Sequence, residues 1–244
     1  KVNFNAGDAF FYSHPNTHEY TGTLAHFSSW LQVFIAEHNI DAIVCFGDCR
    51  PHHTQASCIS EKLGTSFFVF EEGYLRPDYI TLQEYGINGY SRLNTEDIKA
   101  LKKANDHPIY THNRFYRLSI AAIVYYVIAW LYKSRYPHYS HYRGMTAWQE
   151  AIAWLKAPWR KLRGYLPDKQ LQKRLTKRES DNYFLISLQV HNDSQITHHS
   201  DYHDIVQFID EAIASFAGHA NQTQLLVFKH HPLDRGHRDY RELV

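Results

Sequence analysis

Glu71 and Glu72 stand side by side at the end of the apolar run Phe67–Phe70, and Gly73, Arg76, Pro77 and Asp78 follow within a few residues. A carboxylate held in a partly dry cleft is what general acid–base chemistry uses. Side chains alternate along a strand, so at most one of the two acids points into a cleft. A solvated acidic turn is the other reading of the pair. Gly86, Asn88 and Gly89 extend the segment into a long, specially shaped loop, the kind that carries function at a strand end.

Two further stretches hold reactive groups. SLQVHNDSQITHHS delivers Gln189, Asp193 and Gln195 beyond a strand. Asp193 is either a functional carboxylate or one member of an Asx-turn, because Asn192–Ser194 has turn chemistry. FKHHPLDRG places Lys229, His230 and His231 at a strand end, ahead of Pro232, Asp234 and Arg235. Cationic and hydrogen-bonding groups at such a position suit a phosphate. A metal is the alternative, since the chain has 18 His, with doublets at His52–His53, His198–His199 and His230–His231. Adjacent histidines on extended chain point apart, and no H-E-x-x-H pattern occurs. No catalytic metal is expected, and most of the histidines are expected at the surface. G-x-G-x-x-G, Walker A and G-x-S-x-G fingerprints are absent.

The elements that must carry these residues alternate in the first third. VNFN, DAIVCF and SFFVF read as strands. TLAHFSSWLQVFIAEHN, with Leu24, Phe27, Leu31, Phe34 and Ile35 at helical spacing, and HTQASCISEKLG, closed by Gly64, read as the helices between them. That order predicts a parallel sheet in an α/β domain, with ligands at the carboxyl ends of the strands. GDCRPHH and EEGYLRPD fall at two such ends. Residues 94–181 read as a helical, basic middle: TEDIKALKKAN, the apolar Leu118–Tyr132, MTAWQEAIAWLKAPW, and a basic run broken at Gly164 and Pro167. The basic run suits a solvated helix face, or anionic lipid headgroups with Trp154, Trp159 and Tyr165 at the interface. Strand Asn182–Val190, a helix capped by Ser200 or Asp201, and the strand before Lys229 open a second α/β unit at 182–244.

Bulk properties allow one large domain or two modest ones in 244 residues. A net charge of +1 makes no demand for nucleic acid, and no recognition motif for it is present. Three cysteines, Cys45, Cys49 and Cys58, are too few for a disulfide framework and are read as reduced thiols, which fits a cytoplasmic protein. Leu118–Tyr132 is shorter than the ~20 residues of a membrane-spanning helix and is expected to be buried or interfacial. No signal peptide is evident. The chain opens directly in a strand and closes on what reads as a helix just begun, so a piece of a longer protein is expected.

Together FGDCRPHH, FEEGYLRPDYITL…GINGYS, LQVHNDSQI…HS and FKHHPLDRG resemble a family: the capsular polysaccharide β-Kdo glycosyltransferases of Gram-negative bacteria, the KpsS/KpsC (LipA/LipB) group, most of all its single-domain KpsS type. Gln189, Asp193 and Ile196 meet the family's Q-x-x-x-D-x-x-I pattern, and His231–Pro232 its His-Pro pattern. The resemblance implies a GT-B-like α/β fold: a Rossmann-like acceptor lobe over 1–93, nearly complete, the helical middle at 94–181, and a donor lobe begun at 182–244 and truncated. It implies metal-independent, retaining transfer of Kdo from CMP-β-Kdo, with no cofactor, to a phosphatidylglycerol-type lipid. Localisation would be cytoplasmic and peripheral to the inner membrane, beside other capsule biosynthesis and export proteins. By the same analogy Asp193 is the nucleophile and Glu71 the acid/base, while Gln189, Lys229, His231 and Pro232 hold the donor. Chemistry alone adds Arg76 and Arg50, with Glu72 beside them, for the Kdo carboxylate or the lipid phosphate, since guanidinium grips such anions in a bidentate way. The rivals are a sialyltransferase-like enzyme using another CMP-activated acid sugar, and a non-catalytic capsule assembly or export component.

Overall fold

The computed structural model describes residues 1–73, 78–94, 96, 99, 115–141, 144–177 and 182–244. Arg76, Pro77 and most of TEDIKALKKAN lie outside these. The chain divides into two compact units, Lys1–Ala147 and Trp148–Val244. Each is mixed α/β.

In the first unit, β1 (Val2–Asn3) pairs in parallel with β2 (His18–Glu19). Helix α1 (Ala6–Phe11) starts because the Asn5 side chain accepts from the N–H groups of Gly7 and Asp8. Helix α2 (Leu24–His38) buries Phe27, Leu31 and Ile35, one stripe of its surface. β3 (Ala42–Phe46) leads into α3 (Pro51–Leu63), which has proline at its start and a left-handed Gly64 at its end. β4 (Ser66–Glu72) returns parallel to β3. The core joins Tyr20, Phe27, Leu31, Ile59, Phe67 and Val69, with Val2 and Phe4 packed against it.

Two expectations are corrected here. The apolar strand does not stop at Phe70: β4 runs through both glutamates. The segment after it is no open loop, for β5 (Ile80–Glu84) folds back antiparallel to β4, with Glu71 opposite Thr81 and Glu72 opposite Ile80. The sheet is therefore β3–β4–β5 and only partly parallel, while β1 pairs in a separate two-stranded sheet. Exposure alternates along Ile80–Glu84, but Ile80 and Leu82 are exposed and Thr81 and Gln83 half-buried, so this strand turns its apolar side chains outward.

Helix α4 (Phe115–Leu131) packs on α1 through Tyr125, whose hydroxyl receives Asn5 Nδ2 at 2.6 Å and donates to Asp8 Oδ1 at 3.2 Å. Among the described residues no helix is long and apolar enough to cross a membrane.

In the second unit, α5 (Ala147–Lys177) runs unbroken through Gly164 and Pro167, so the expected interruption is absent, and it contains Pro158 as well. Each proline removes one i→i−4 bond, and the other turns of the long helix hold. β6 (Tyr183–Ser187) ends sooner than its apolar pattern implies and pairs in parallel with β7 (Leu225–Lys229). Between them lie the short α6 (Ser194–Thr197) and α7 (Ile205–His219). The cap of α7 is Asp204, accepting from Gln207 N, in place of Ser200 or Asp201. Ile205 and Ile209 of α7 meet Leu188 and Tyr240 in a second core.

Candidate functional site

The polar residues gather at the carboxyl ends of the strands in each unit, where parallel α/β units present ligand sites. In the first unit Asp48, just beyond β3, is buried and its Oδ2 accepts from Ile87 N at 2.9 Å. That bond fastens the turn 86–90 across the sheet end. Gly86 permits the approach, because a Cβ there would lie 2.8 Å from Tyr90 Cβ and 2.9 Å from the Tyr90 carbonyl oxygen. Asn88, the next residue, has φ of +53° and donates from Nδ2 to Glu71 Oε2 at 2.9 Å. Glu71 shares its face of β4 with buried Phe67 and Val69 and is itself half-buried; Glu72 is exposed. Strand alternation thus separates the two acids.

Beside them, His53 Nδ1 lies 2.7 Å from the Gly47 carbonyl oxygen. A carbonyl only accepts, so Nδ1 carries the proton. Burial, opposed by that hydrogen bond, lowers the His53 pKa to about 4. Arg50 sits ahead of α3 with its guanidinium carbon 5.4 Å from the centroid of the Phe46 ring.

In the second unit Asp193 caps α6, accepting from Gln195 N at 2.9 Å through Oδ1. The Asx-turn geometry is therefore real. It uses one oxygen and leaves Oδ2 without a partner among the described residues. Gln189 and Lys229 are exposed, and His231 is half-buried. His231 Nδ1 accepts from Leu233 N at 3.2 Å, which places the ring proton on Nε2, ready to donate to an anion. Pro232 is exposed beside it.

Sequence reasoning assigned no role to Asp234, which is 0% exposed. Its Oδ1 lies 2.5 Å from His191 Nδ1, its Oδ2 receives the Tyr240 hydroxyl at 3.1 Å, and His230 Nε2 is 3.6 Å away. Burial alone would raise its pKa. The close approach of His230, the hydrogen bond from His191 and the charge of His191 outweigh it and hold the carboxyl at about 2. The His191 and His237 rings stack with centroids 5.2 Å apart, and His237 Nε2 lies 3.2 Å from Glu150 Oε2. Gly236 lets this loop meet α5: a Cβ there would come 2.0 Å from the Ala153 carbonyl oxygen. Arg160 adds hydrogen bonds to the carbonyls of Arg235 and Arg238 at 2.8 and 3.0 Å.

The fold therefore joins Asp48, Asn88 and Glu71 in one unit, and His191, Asp234, His230 and His237 in the other. Glu71 and Asp193 belong to different units. Asp48 and Asp234 each lie within a strand-end motif, GDCRPHH and FKHHPLDRG, and that position is the signal the sequence offers. Their partners, 39 and 43 residues away, were not visible locally.

Residues 41–244 match the family described as capsule polysaccharide biosynthesis protein. The chain is 40% identical to the capsule polysaccharide export protein KpsS of Escherichia coli over 248 residues, covering all of this chain and 63% of that protein. It is 36% identical to the capsule polysaccharide modification protein LipB of Neisseria meningitidis serogroup B, covering 98% of this chain and 59% of LipB. The chain thus spans less than two thirds of the length of these relatives. No solved structure matches it.

Proposed function

The chain belongs to the capsule polysaccharide biosynthesis protein family together with KpsS and LipB, and from that membership we propose that it acts as a retaining β-Kdo transferase, moving Kdo from CMP-β-Kdo to a phosphatidylglycerol-type lipid. The observation that carries the reading is the pair of carboxylates at strand ends. Glu71 is half-buried and held by Asn88, and Asp193 is held as a helix cap through one oxygen, the other having no partner among the described residues. The two units would correspond to the two Rossmann-like lobes of a GT-B fold.

Retention follows from two inversions. The Asp193 carboxylate attacks the anomeric carbon of Kdo, a carbon–oxygen bond to Asp193 forms, and the bond to the CMP phosphate breaks, with CMP taking the electron pair. The His231 Nε2 proton and the Lys229 ammonium stabilise the departing phosphate. Glu71 then takes the proton of the acceptor hydroxyl, whose oxygen attacks the same carbon and releases Asp193. Gln189 orients the donor, and Arg50 pairs with the Kdo carboxylate or the lipid phosphate. This chemistry calls for no metal.

A lipid acceptor also accounts for α5. Trp148, Leu155, Trp159, Leu162 and Leu166 fall on one face of that helix and are 74, 77, 65, 72 and 67% exposed. Lys156 and Arg163 flank them. An apolar stripe with basic flanks suits the surface of an anionic bilayer, which supports peripheral contact with the membrane.

The test uses the protein at its natural full length with CMP-Kdo and phosphatidylglycerol vesicles, reading CMP release and the mass of the lipid product. Lipid-dependent CMP release and a Kdo-lipid are expected, and CMP-sialic acid should not compete. Capsule export supported equally well by Glu71→Gln and Asp193→Asn proteins would point to a non-catalytic export component instead.

A further inference from the structure

We propose that His191, Asp234 and His237 form a binding site for a divalent transition-metal ion of the zinc class. Each offers one ligand atom, and these atoms all lie within 4.8 Å of one another. The groups come from two loops. His191 follows β6, whereas Asp234 and His237 follow β7. No local pattern announces them, and the histidine doublets of the chain are a separate feature.

Three observations favour a cation here. The Asp234 carboxylate is wholly buried, so its charge has left water and is met within the protein by His191 and Tyr240, a place a cation can share. The two imidazoles stack at an interplanar angle of 29° and bring their nitrogens to the same carboxylate region. Finally, His237 is prepared as a ligand. Glu150 holds its Nε2 at 3.2 Å, while its Nδ1 is buried without a hydrogen-bond partner. A carboxylate on one ring nitrogen fixes the proton there and leaves the lone pair of the other for a metal, the arrangement that surrounds metal-bound histidines.

Two imidazoles and one carboxylate suit zinc and cobalt ions. Calcium and magnesium prefer oxygen ligands alone. A bound cation would take the place of the proton that bridges His191 Nδ1 and Asp234 Oδ1, and that proton would pass to solvent. Three protein ligands leave a fourth position for water. Such an ion would fasten the segment leading to Asp193 to the segment that follows His231. The site does not rest on the transferase reading, whose chemistry needs no metal.

The test is metal retention by the purified full-length protein. It is stripped with a chelator, incubated with zinc sulfate, passed through a desalting column and analysed for metal, with zinc titration calorimetry in parallel. One equivalent of zinc should be retained and should raise Tm. His237→Gln should lose that equivalent, and exposed His219→Gln should keep it. Glu150→Gln, nearly isosteric, should weaken zinc about 10–100-fold and gives the reading if the His237 variant fails to fold. Wild-type protein that emerges without zinc overturns the proposal. So does wild-type affinity in a folded His237→Gln protein, or in Glu150→Gln if the histidine variant does not fold.

Discussion

One carboxylate oxygen of Glu71 accepts from the Asn88 amide, and Glu71 lies on the core-facing side of β4, while its neighbour Glu72 meets solvent. Replacing Glu71 with glutamine keeps the shape and removes the base, so Glu71→Gln should lower lipid-dependent turnover about 10²-fold or more. Glu72→Gln should stay near wild type, and the two rates measured side by side decide the assignment. Asp193→Asn is the sharper probe of the nucleophile. Asparagine caps a helix as well as aspartate does, so the bond from Gln195 N survives and melting should hardly change, while CMP release should vanish. At His53 the prediction concerns pH. Its pKa falls from 6.5 to about 4 on folding, so between those values the unfolded chain binds a proton that the folded chain refuses. Stability should therefore fall as pH falls from 6.5 toward 4. His53→Gln should flatten that part of the Tm-against-pH curve. Burial of this first-turn side chain of α3 causes the shift, and no local feature of PHH foretold it.

α2 and α3 were legible because their signals are local: apolar residues at helical spacing in one, a terminal glycine in the other; that α3 starts earlier, at Pro51, came with the fold. β5 was not. Ile80–Glu84 alternates apolar and polar residues, and beside glycine-rich sequence that alternation was taken for loop; only pairing with β4 makes it a strand. α5 was misjudged for the opposite reason. Gly164 and Pro167 are local breakers, and the rest of a 31-residue helix overrides them. Gly236 shows an element contact that sequence could not reveal. Its Cα sits against the Ala153 carbonyl of α5 with no room for a methyl group. Gly236→Ala should destabilise the fold by about 1–3 kcal/mol, read as a lower urea midpoint, and should loosen the loop that carries Asp234.

Each unit has its own apolar core, and the motifs recognised in sequence divide between them. Family membership was legible over nearly the whole chain, least in the helical middle, because those motifs keep a fixed order. The buried groups that support them depend on contacts of long sequence separation and came only with the fold. The exposed stripe on α5 also belongs to this scale, since no core within the described residues covers it. Leu162→Glu with Leu166→Glu should cut sedimentation of the protein with phosphatidylglycerol vesicles several-fold. Turnover of a short-chain soluble acceptor should be much less affected.

The antiparallel pairing of β4 and β5 makes insertions and deletions the most severe test of the first unit. Successive strand residues face opposite sides, so one residue deleted from β4 ahead of Glu71 would turn that carboxylate outward and bring Glu72 to the core-facing side. Asn88 would then be offered a different acid from the same pair. A doubled glutamate tolerates such a slip in composition while exchanging the identity of the group. A β4 deletion combined with Glu72→Gln would therefore distinguish a requirement for Glu71 itself from a requirement for any carboxylate at that place.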